Sequence, residues 1–495
     1  MKYAIIIGGF LSTGLVQALA GPSPGECLEY ILGSKNVPVK WINDPAYGDL
    51  TEPFNLRLQY KPIAIVIPTT NQHVQDAVVA AGKCGVKVQA KSGGHSYASF
   101  SSGGQDGSMM IDLQSFQEVT VDQNTGIATV GAGVRIGNLA QGIWDQGKRA
   151  LPHGTCPGVG IGGHATHGGY GHASRNWGLS MDTIVGAEVV LADGSLVYAS
   201  ANQNFELYWA IRGAAESFGI ITSFKFQTRN APESVTYFQF QWSGLFKSKT
   251  DFVKTFLHIQ DFATNGTVVD NRISFGIYMD GTVVSLGGAF FGSVEEFEQR
   301  VKPEFLRGVP APVNVNVGSY SWYDYLVLVS DKDTIKEPLT GYDEHDHFFA
   351  KSVTVPEKDG LKENTFNQLW DYLSKGSPAP YFIITNLYGG PGSSINYKTE
   401  HFAAYADRDS LWVLQNYGDT ENPANIDFIN GINDVIIKSQ PETTFGAYLN
   451  YVDPSYDAAT AHKVYYGDAI YGKLLKLKQK YDPRKIFWNP QAIGA

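Results

Sequence analysis

A histidine and a cysteine, each set in a glycine-rich stretch, constrain this chain more than any other feature. They lie in Lys91-Ser92-Gly93-Gly94-His95-Ser96-Tyr97 and in Pro152-His153-Gly154-Thr155-Cys156-Pro157-Gly158-Val159-Gly160-Ile161-Gly162-Gly163-His164. Where Cβ atoms are missing, main-chain N–H groups can approach an anionic or bulky ligand closely, so each stretch is a cradle with a nucleophilic side chain inside it. Singly, a Gly-Gly-His reads as a turn with a solvated histidine, and a lone Cys in a secreted chain reads as half of a disulfide. Their occurrence together, in this order and in the context that follows, outweighs both readings.

Periodicity places the first cradle. Residues 63–67 form a short apolar strand, Pro68-Thr69-Thr70-Asn71 is a helix start, and Val74, Ala77, Val78 and Ala81 share one helical face before Gly82 and Gly85. A second strand, 86–90, runs directly into Lys91. The unit reads as βαβ with its glycine loop at a strand's carboxyl end, where ligands sit in open α/β sheets. The loop has neither the G-x-G-x-x-G spacing of a dinucleotide fold nor the Lys-Ser/Thr of a P-loop. Farther on, 119–121 and 127–130 form a hairpin, 136–144 a helix, 184–191 and 195–199 a hairpin across Ala192-Asp193-Gly194, 205–212 a helix and 218–226 a strand. From about 231 to 450 the character changes to Tyr- and Phe-rich alternating runs, at 235–242, 272–279, 283–291 and 381–388, which read as an antiparallel sheet in a second domain.

With 495 residues, 43% of them apolar and 17% charged, the chain is long enough for at least two cores. A net charge of −10 without clustered Lys and Arg argues against a nucleic-acid partner. The 27 Tyr and 9 Trp suit sugar rings or aromatic small molecules, and equally a large core. Lys2, the apolar stretch 4–16 and Ala18-Leu19-Ala20 before Gly21 form a secretory signal with a cleavage site, so residues 1–20 read as a signal peptide and the protein as extracellular. No later segment offers the ~18 uninterrupted apolar residues of a membrane span. Asn265-Gly266-Thr267 is an acceptor for glycan.

These segments are similar to the vanillyl-alcohol oxidase flavoprotein superfamily, in its berberine bridge enzyme-like group, and within it most resemble the fungal gluco- and chito-oligosaccharide oxidases. The resemblance runs essentially end to end. Its further landmarks are Ala192-Asp193-Gly194, Leu207-Tyr208-Trp209-Ala210-Ile211-Arg212-Gly213, Asn450-Tyr451 and Lys480-Tyr481-Asp482-Pro483. It implies an α+β, two-domain fold of the PCMH-type FAD-binding class. An FAD domain would cover 21–234, a substrate domain on an antiparallel sheet 235–449, and a C-terminal berberine bridge-like segment 450–495.

The resemblance also implies roles. FAD would be bonded twice, to His95 and Cys156, a pairing that raises its potential and prevents its loss. Ser92, Gly93, Gly94 and Ser96 would carry its diphosphate, with Gly154, Thr155, Gly160, Gly163, His164, Gly219, Ile221 and Asn450 as further cofactor contacts. Val159 matches the family's oxygen gate, where a small β-branched residue accompanies oxidase behaviour. Tyr451 matches the catalytic tyrosine, whose phenol needs an environment that favours phenolate to act as a base. Asn386 stands where the sugar oxidases carry an aspartate, and its amide can donate to that phenolate. Ile384 stands where a substrate-binding Gln is expected. Tyr97, Gln415 and Tyr448 are the substrate-side candidates, with Trp412 and Tyr417 nearby in sequence. If Cys156 is bonded to the cofactor, Cys27 and Cys84 are left to pair, since the chain has three cysteines.

No metal is expected. Asp343-Glu344-His345-Asp346-His347 has no diagnostic ligand spacing and reads as a solvated loop, and the glycines around His164, His167 and His172 argue against a helical metal face. The expected activity is that of a secreted, monomeric FAD oxidase. It would take a hydride from a hydroxyl-bearing carbon, reduce O2 to hydrogen peroxide, and act foremost on the reducing-end anomeric carbon of an oligosaccharide. The departures at Ile384 and Asn386 favour a non-sugar secondary-metabolite alcohol as the alternative. A catalytically silent flavin-binding protein is the third reading.

Overall fold

The computed structural model describes residues 22–341 and 344–495, so the segment 1–20 read as a signal peptide, and Asp343, lie outside the described residues. The chain is mixed α+β, with three main sheets. The first has four strands in the order Val39–Trp41, Ala64–Val66, Met109–Asp112, Val88–Lys91. The expected βαβ unit is present, but its strands are not neighbours: Met109–Asp112 lies between them, parallel to both. The connecting helix, Asn71–Cys84, starts where Thr70 accepts from the His73 N–H and stops at Gly85, whose φ of +68° suits glycine. Cys84, at its end, is disulfide-bonded to Cys27 of the Pro24–Ser34 helix.

The second sheet has five antiparallel strands ordered Val119–Val121, Ile127–Gly131, Ile220–Gln227, Ile184–Val190, Leu196–Ser200, and it shares one apolar core with the first. The helix expected over 205–212 is Phe205–Ala214, with its last turn broken at Arg212 and Gly213. Gly213 has φ +143° and a Cβ there would stand 1.8 Å from the Ala404 carbonyl oxygen, so close packing rather than propensity ends this helix.

The third sheet has seven antiparallel strands in the order Asn314–Tyr320, Val235–Trp242, Val284–Phe290, Ile273–Met279, Tyr381–Leu387, Ser410–Asp419, Phe348–Pro356. Its alternation separates two environments. Phe238, Phe240 and Trp242 point into a core shared with the helices Lys249–Thr264, Glu363–Leu373 and Ala424–Ser439, while Tyr237 and Gln239 face a cavity. Arg175, fully buried on the Ser174–Trp177 helix, ties this sheet to the rest by donating to the carbonyls of Gly389, Asp270, Ile273 and Pro391. The last long helix, Ala458–Tyr481, breaks at Gly467 and delivers Phe487 to a bridge with Val88, beside the first sheet. No helix among the described residues is long and apolar enough to cross a membrane.

Candidate active site

The two glycine stretches meet. A Cβ on Gly93 would lie 2.4 Å from the Gly160 nitrogen, and one on Gly160 would lie 2.1 Å from the Gly93 nitrogen, so neither position admits a side chain without parting the loops. Ser92 stitches them by donating from Oγ to the Ala132 carbonyl at 2.6 Å and accepting from the Gly162 N–H at 3.1 Å. Arg135 adds a clamp on the Gly93 and Gly158 carbonyls at 3.0 and 2.6 Å. Beyond the second loop, Ile161–Thr166 is a short helix containing His164, so the glycines that argued against a helix do not prevent one there, while His167 caps it and His172 lies beyond it. Gly162 fits because its missing side chain lets the helix lie against Ala132 and Ser92.

Both loops open on one cavity of about 980 Å³, floored by the seven-stranded sheet. His95 and Cys156 line it. Desolvation lowers the His95 pKa to about 4, leaving a neutral imidazole, and the Phe54 ring stacks on it with centroids 3.6 Å apart. The Cys156 side chain is open to the cavity but enclosed by protein around it, so desolvation, and then the Glu344 carboxylate, raise its thiol pKa. His164 accepts the Gly154 N–H on Nε2 at 3.0 Å, so Nδ1 carries its proton, and burial lowers its pKa to about 3.

Opposite the loops stands a group of tyrosines. Tyr451 stacks on Tyr97 at 5.5 Å and meets Tyr448 edge-on at 4.9 Å. Its hydroxyl is 3.1 Å from that of Tyr170, which accepts from Asn386 Nδ2 at 2.8 Å. The amide therefore reaches Tyr451 through Tyr170, a correction to the direct donation expected from sequence. Burial raises the pKa of Tyr451, and of Tyr170 with it. Tyr448, expected toward substrate, spends its hydroxyl oxygen on the N–H groups of Gly169 and Tyr170 and on Asn450 Nδ2. Burial raises its pKa to about 12. Gln415 Nε2 donates to the Tyr97 hydroxyl at 2.6 Å.

Residues 62–200 match the family described as FAD binding domain, and residues 447–494 the family described as berberine and berberine like. A carbohydrate oxidase of Microdochium nivale is 36% identical over 100% of this chain and 99% of its own length. The structure of a xylooligosaccharide oxidase from Myceliophthora thermophila C1, in complex with xylobiose, superposes with a TM-score of 0.89 at 34% identity, covering 94% of this chain and 99% of that one. A glucooligosaccharide oxidase from Acremonium strictum, described with a 6-S-cysteinyl, 8α-N1-histidyl FAD, gives 0.88 at 32% identity, covering 94% and 99%. The chain belongs to the berberine bridge enzyme-like family of FAD-linked oxidases.

The cavity fits the cofactor of that family. Gly163 lines it, and a Cβ there would meet no atom within 4 Å, so the glycine leaves room for a ligand rather than for protein. Ser92, Gly93, Gly94, Ser96, Gly154, Thr155, Gly160, His164, Gly219, Ile221 and Asn450 line the same cavity, as do Val159, Tyr97, Gln415, Tyr448, Tyr451 and Asn386. Trp412 does not: it sits three residues before Gln415, hence on the opposite face of the strand, and donates to Gln260. Tyr417, two residues after Gln415, does line the cavity.

Three features of this site were not legible as such in the sequence. Tyr170 lies among Gly168, Gly169 and Gly171, a third glycine cluster that could have marked it. His167, on the cavity wall, presents Nδ1 to the Gly163 carbonyl and Nε2 to Glu216 at 2.7 Å. Burial opposes its charge, but Glu216 outweighs burial and raises its pKa. The described part of the acidic segment read as a solvated loop, 344–347, is exposed except at His345, but it is fastened. Asp346 exchanges main-chain hydrogen bonds with Phe54 and Leu56, its carboxylate accepts from Tyr417, and His345 Nδ1 contacts the Pro53 carbonyl at 2.8 Å. Glu344 and Asp346 line the cavity, and among the described residues no cluster arranged to hold a metal is found.

Proposed function

We propose that this protein is an extracellular oxidase carrying FAD on two covalent bonds, to His95 and Cys156, and oxidising the reducing-end carbon of an oligosaccharide to a lactone while O2 becomes hydrogen peroxide. One observation carries the reading: two nucleophilic side chains from separate glycine loops line the same cavity as the Tyr451–Tyr170–Asn386 chain. When bound, the flavin supplies a hydride acceptor and a route for electrons to O2.

The residues divide the remaining work. Asn386 Nδ2 can only donate, so the Tyr170 oxygen accepts from it and the Tyr170 hydrogen is free to point at Tyr451. Tyr451 thereby receives a hydrogen bond that favours its base form, against the burial that opposes it. In this form it takes the proton from the substrate hydroxyl. Asn386 cannot take the proton onward, so the reactive fraction grows with pH. Val159 lines the cavity where it would govern oxygen access. The N-terminal signal and the Cys27–Cys84 disulfide support an extracellular site, and we take the protein as a monomer.

The relatives' substrates support a sugar. A second reading, a non-sugar alcohol, is favoured by the cavity wall itself. Phe382 is stacked between Tyr278 and Tyr417 at 5.7 and 4.6 Å, and Tyr417 also against Phe348 at 4.5 Å, so Phe382 and Tyr417 have both faces covered and offer the cavity mainly edges. Ile384 pairs in register with Gln415 and Tyr278, placing an apolar group among them. Acid denaturation followed by peptide mass mapping is expected to find flavin on both the His95 and the Cys156 peptides, and free FAD in the supernatant would refute the double bond. A peroxide-release screen over oligosaccharides and aromatic alcohols then decides between the two substrates.

A further inference from the structure

We propose that Phe54 is a positioning residue for the bond at His95, its ring fixing the plane in which the imidazole meets the flavin; the inference rests on the double-bond reading above. Phe54 and His95 are stacked with centroids 3.6 Å apart and planes 22° from parallel. The hydrogen bonds of this loop run through the neighbours of His95: Ser92 to Ala132, Gly93 to Arg135, Ser96 to Phe100, and Tyr97 to Asn55. The ring stack is thus the contact from outside the loop that bears on the plane of the imidazole, beside the hydrogen bond the ring makes with its own backbone.

Phe54 is itself held from elsewhere. Its carbonyl accepts from the Asp346 N–H at 2.9 Å, the Leu56 N–H donates to the Asp346 carbonyl at 2.9 Å, and Phe348 packs on its ring at 5.4 Å. Its position therefore does not depend on the histidine it touches. Burial keeps that histidine neutral, with a nitrogen lone pair available for bonding.

Attachment joins an imidazole nitrogen to the methyl carbon on the flavin's ring. One N–H and one C–H bond break, both protons leave, and the electron pair passes into the flavin, from which O2 removes it as hydrogen peroxide. Such a step needs reacting atoms about 3–3.5 Å apart with orbitals aligned, and a misplacement of about 1 Å can cost on the order of 100-fold. A planar face against the imidazole holds that alignment, and an aliphatic side chain of similar volume would let the ring turn.

The test follows attachment rather than turnover. Phe54→Leu and Phe54→Tyr are expressed beside the wild type, and digests taken through the course of expression are mapped for flavin on the His95 and Cys156 peptides. The His95-linked fraction at early times is expected to fall about 10- to 100-fold in Phe54→Leu. Attachment at Cys156, on the other loop, should persist, and Phe54→Tyr, which keeps the planar face, should restore the wild-type pattern. Phe54→Met, with volume but no face, serves if the Leu variant does not accumulate. Wild-type attachment at His95 in the Leu or Met variant overturns the proposal, as does equal loss at both peptides, which would make Phe54 a determinant of the cavity as a whole. Absence of flavin on His95 in the wild type would instead sink the double-bond reading on which the proposal rests.

Discussion

At the scale of single residues, the chemistry turns on which way hydrogen bonds point. An amide at position 386 sends its hydrogen to Tyr170 and leaves the Tyr170 hydrogen for Tyr451. A carboxylate there would reverse the chain and offer the proton a final acceptor. The rate of flavin reduction in the wild type is therefore expected to climb with pH through the neutral range, whereas Asn386→Asp should reach its plateau below neutral; identical profiles in a stopped-flow series would reject the relay. Tyr451→Phe should keep its flavin and slow reduction by ~100-fold or more, the scale of a lost general base. A second buried group lies outside the chemistry. Burial raises the Asp407 pKa to about 7, with Thr354 and Ser410 donating to the same carboxylate oxygen. Its folded pKa lies above its unfolded one, so its contribution is fully present below about pH 4 and is lost as pH rises to about 7, on the order of a few kcal/mol. Asp407→Asn keeps the acceptor without the charge. Its advantage in denaturation midpoint over the wild type should widen from pH 4 to pH 8, and a constant gap would disprove the assignment.

At the scale of elements, the register of the seven-stranded sheet sets where the polar groups of the cavity stand. Gln239, Gly287, Gly276 and Asn386 follow one another across four strands as paired positions. The two central glycines leave the floor low. A Cβ on Gly276 would lie 2.7 Å from Asn386 Oδ1, so this glycine is what allows the amide to lie flat and aim Nδ2 at Tyr170. Gly276→Ala is expected to lower the limiting rate of flavin reduction by about tenfold with substrate affinity little changed, since alignment rather than contact is lost. Unchanged reduction kinetics across pH would show that Asn386 needs no such room. The same strands were readable from sequence: 235–242 alternates because one face meets helices and the other a cavity, a period of two that no helix reproduces. The Met109–Asp112 strand was not, because four buried residues in a row carry no period.

At the scale of the whole molecule, separate parts of the chain are fastened together around the cavity. Arg175 holds the sheet through four carbonyls, and the 344–347 segment binds the Phe54 region to the edge strand Phe348–Pro356. The Cys27–Cys84 bond closes a separation of 57 residues, with Cys84 packed against the first core. Removing it as a Cys27→Ser, Cys84→Ser pair is expected to lower stability by about 2–5 kcal/mol in urea unfolding while leaving the flavin attached. Alkylating unreduced, denatured protein should label no cysteine, because the third sulfur is expected to be bonded to the cofactor. Labelling of two would remove the disulfide, and labelling of Cys156 alone would remove its flavin bond.

What the sequence determined by itself was local. Glycine at closely spaced positions marks where backbone must come near a ligand, so the two cradles with His95 and Cys156, the strand feeding the first of them and the two-faced sheet were legible without coordinates. The tertiary structure alone decided who touches whom across long separations. Asn386 meets Tyr170 rather than Tyr451 and Tyr448 serves the backbone of Gly169, pairs 216 and 279 residues apart. Phe54 lies on His95, and an acidic loop becomes a strap. Periodicity reports which face of an element is buried, but not the partner that buries it, and in this site the partner sets the direction of every hydrogen bond the chemistry uses.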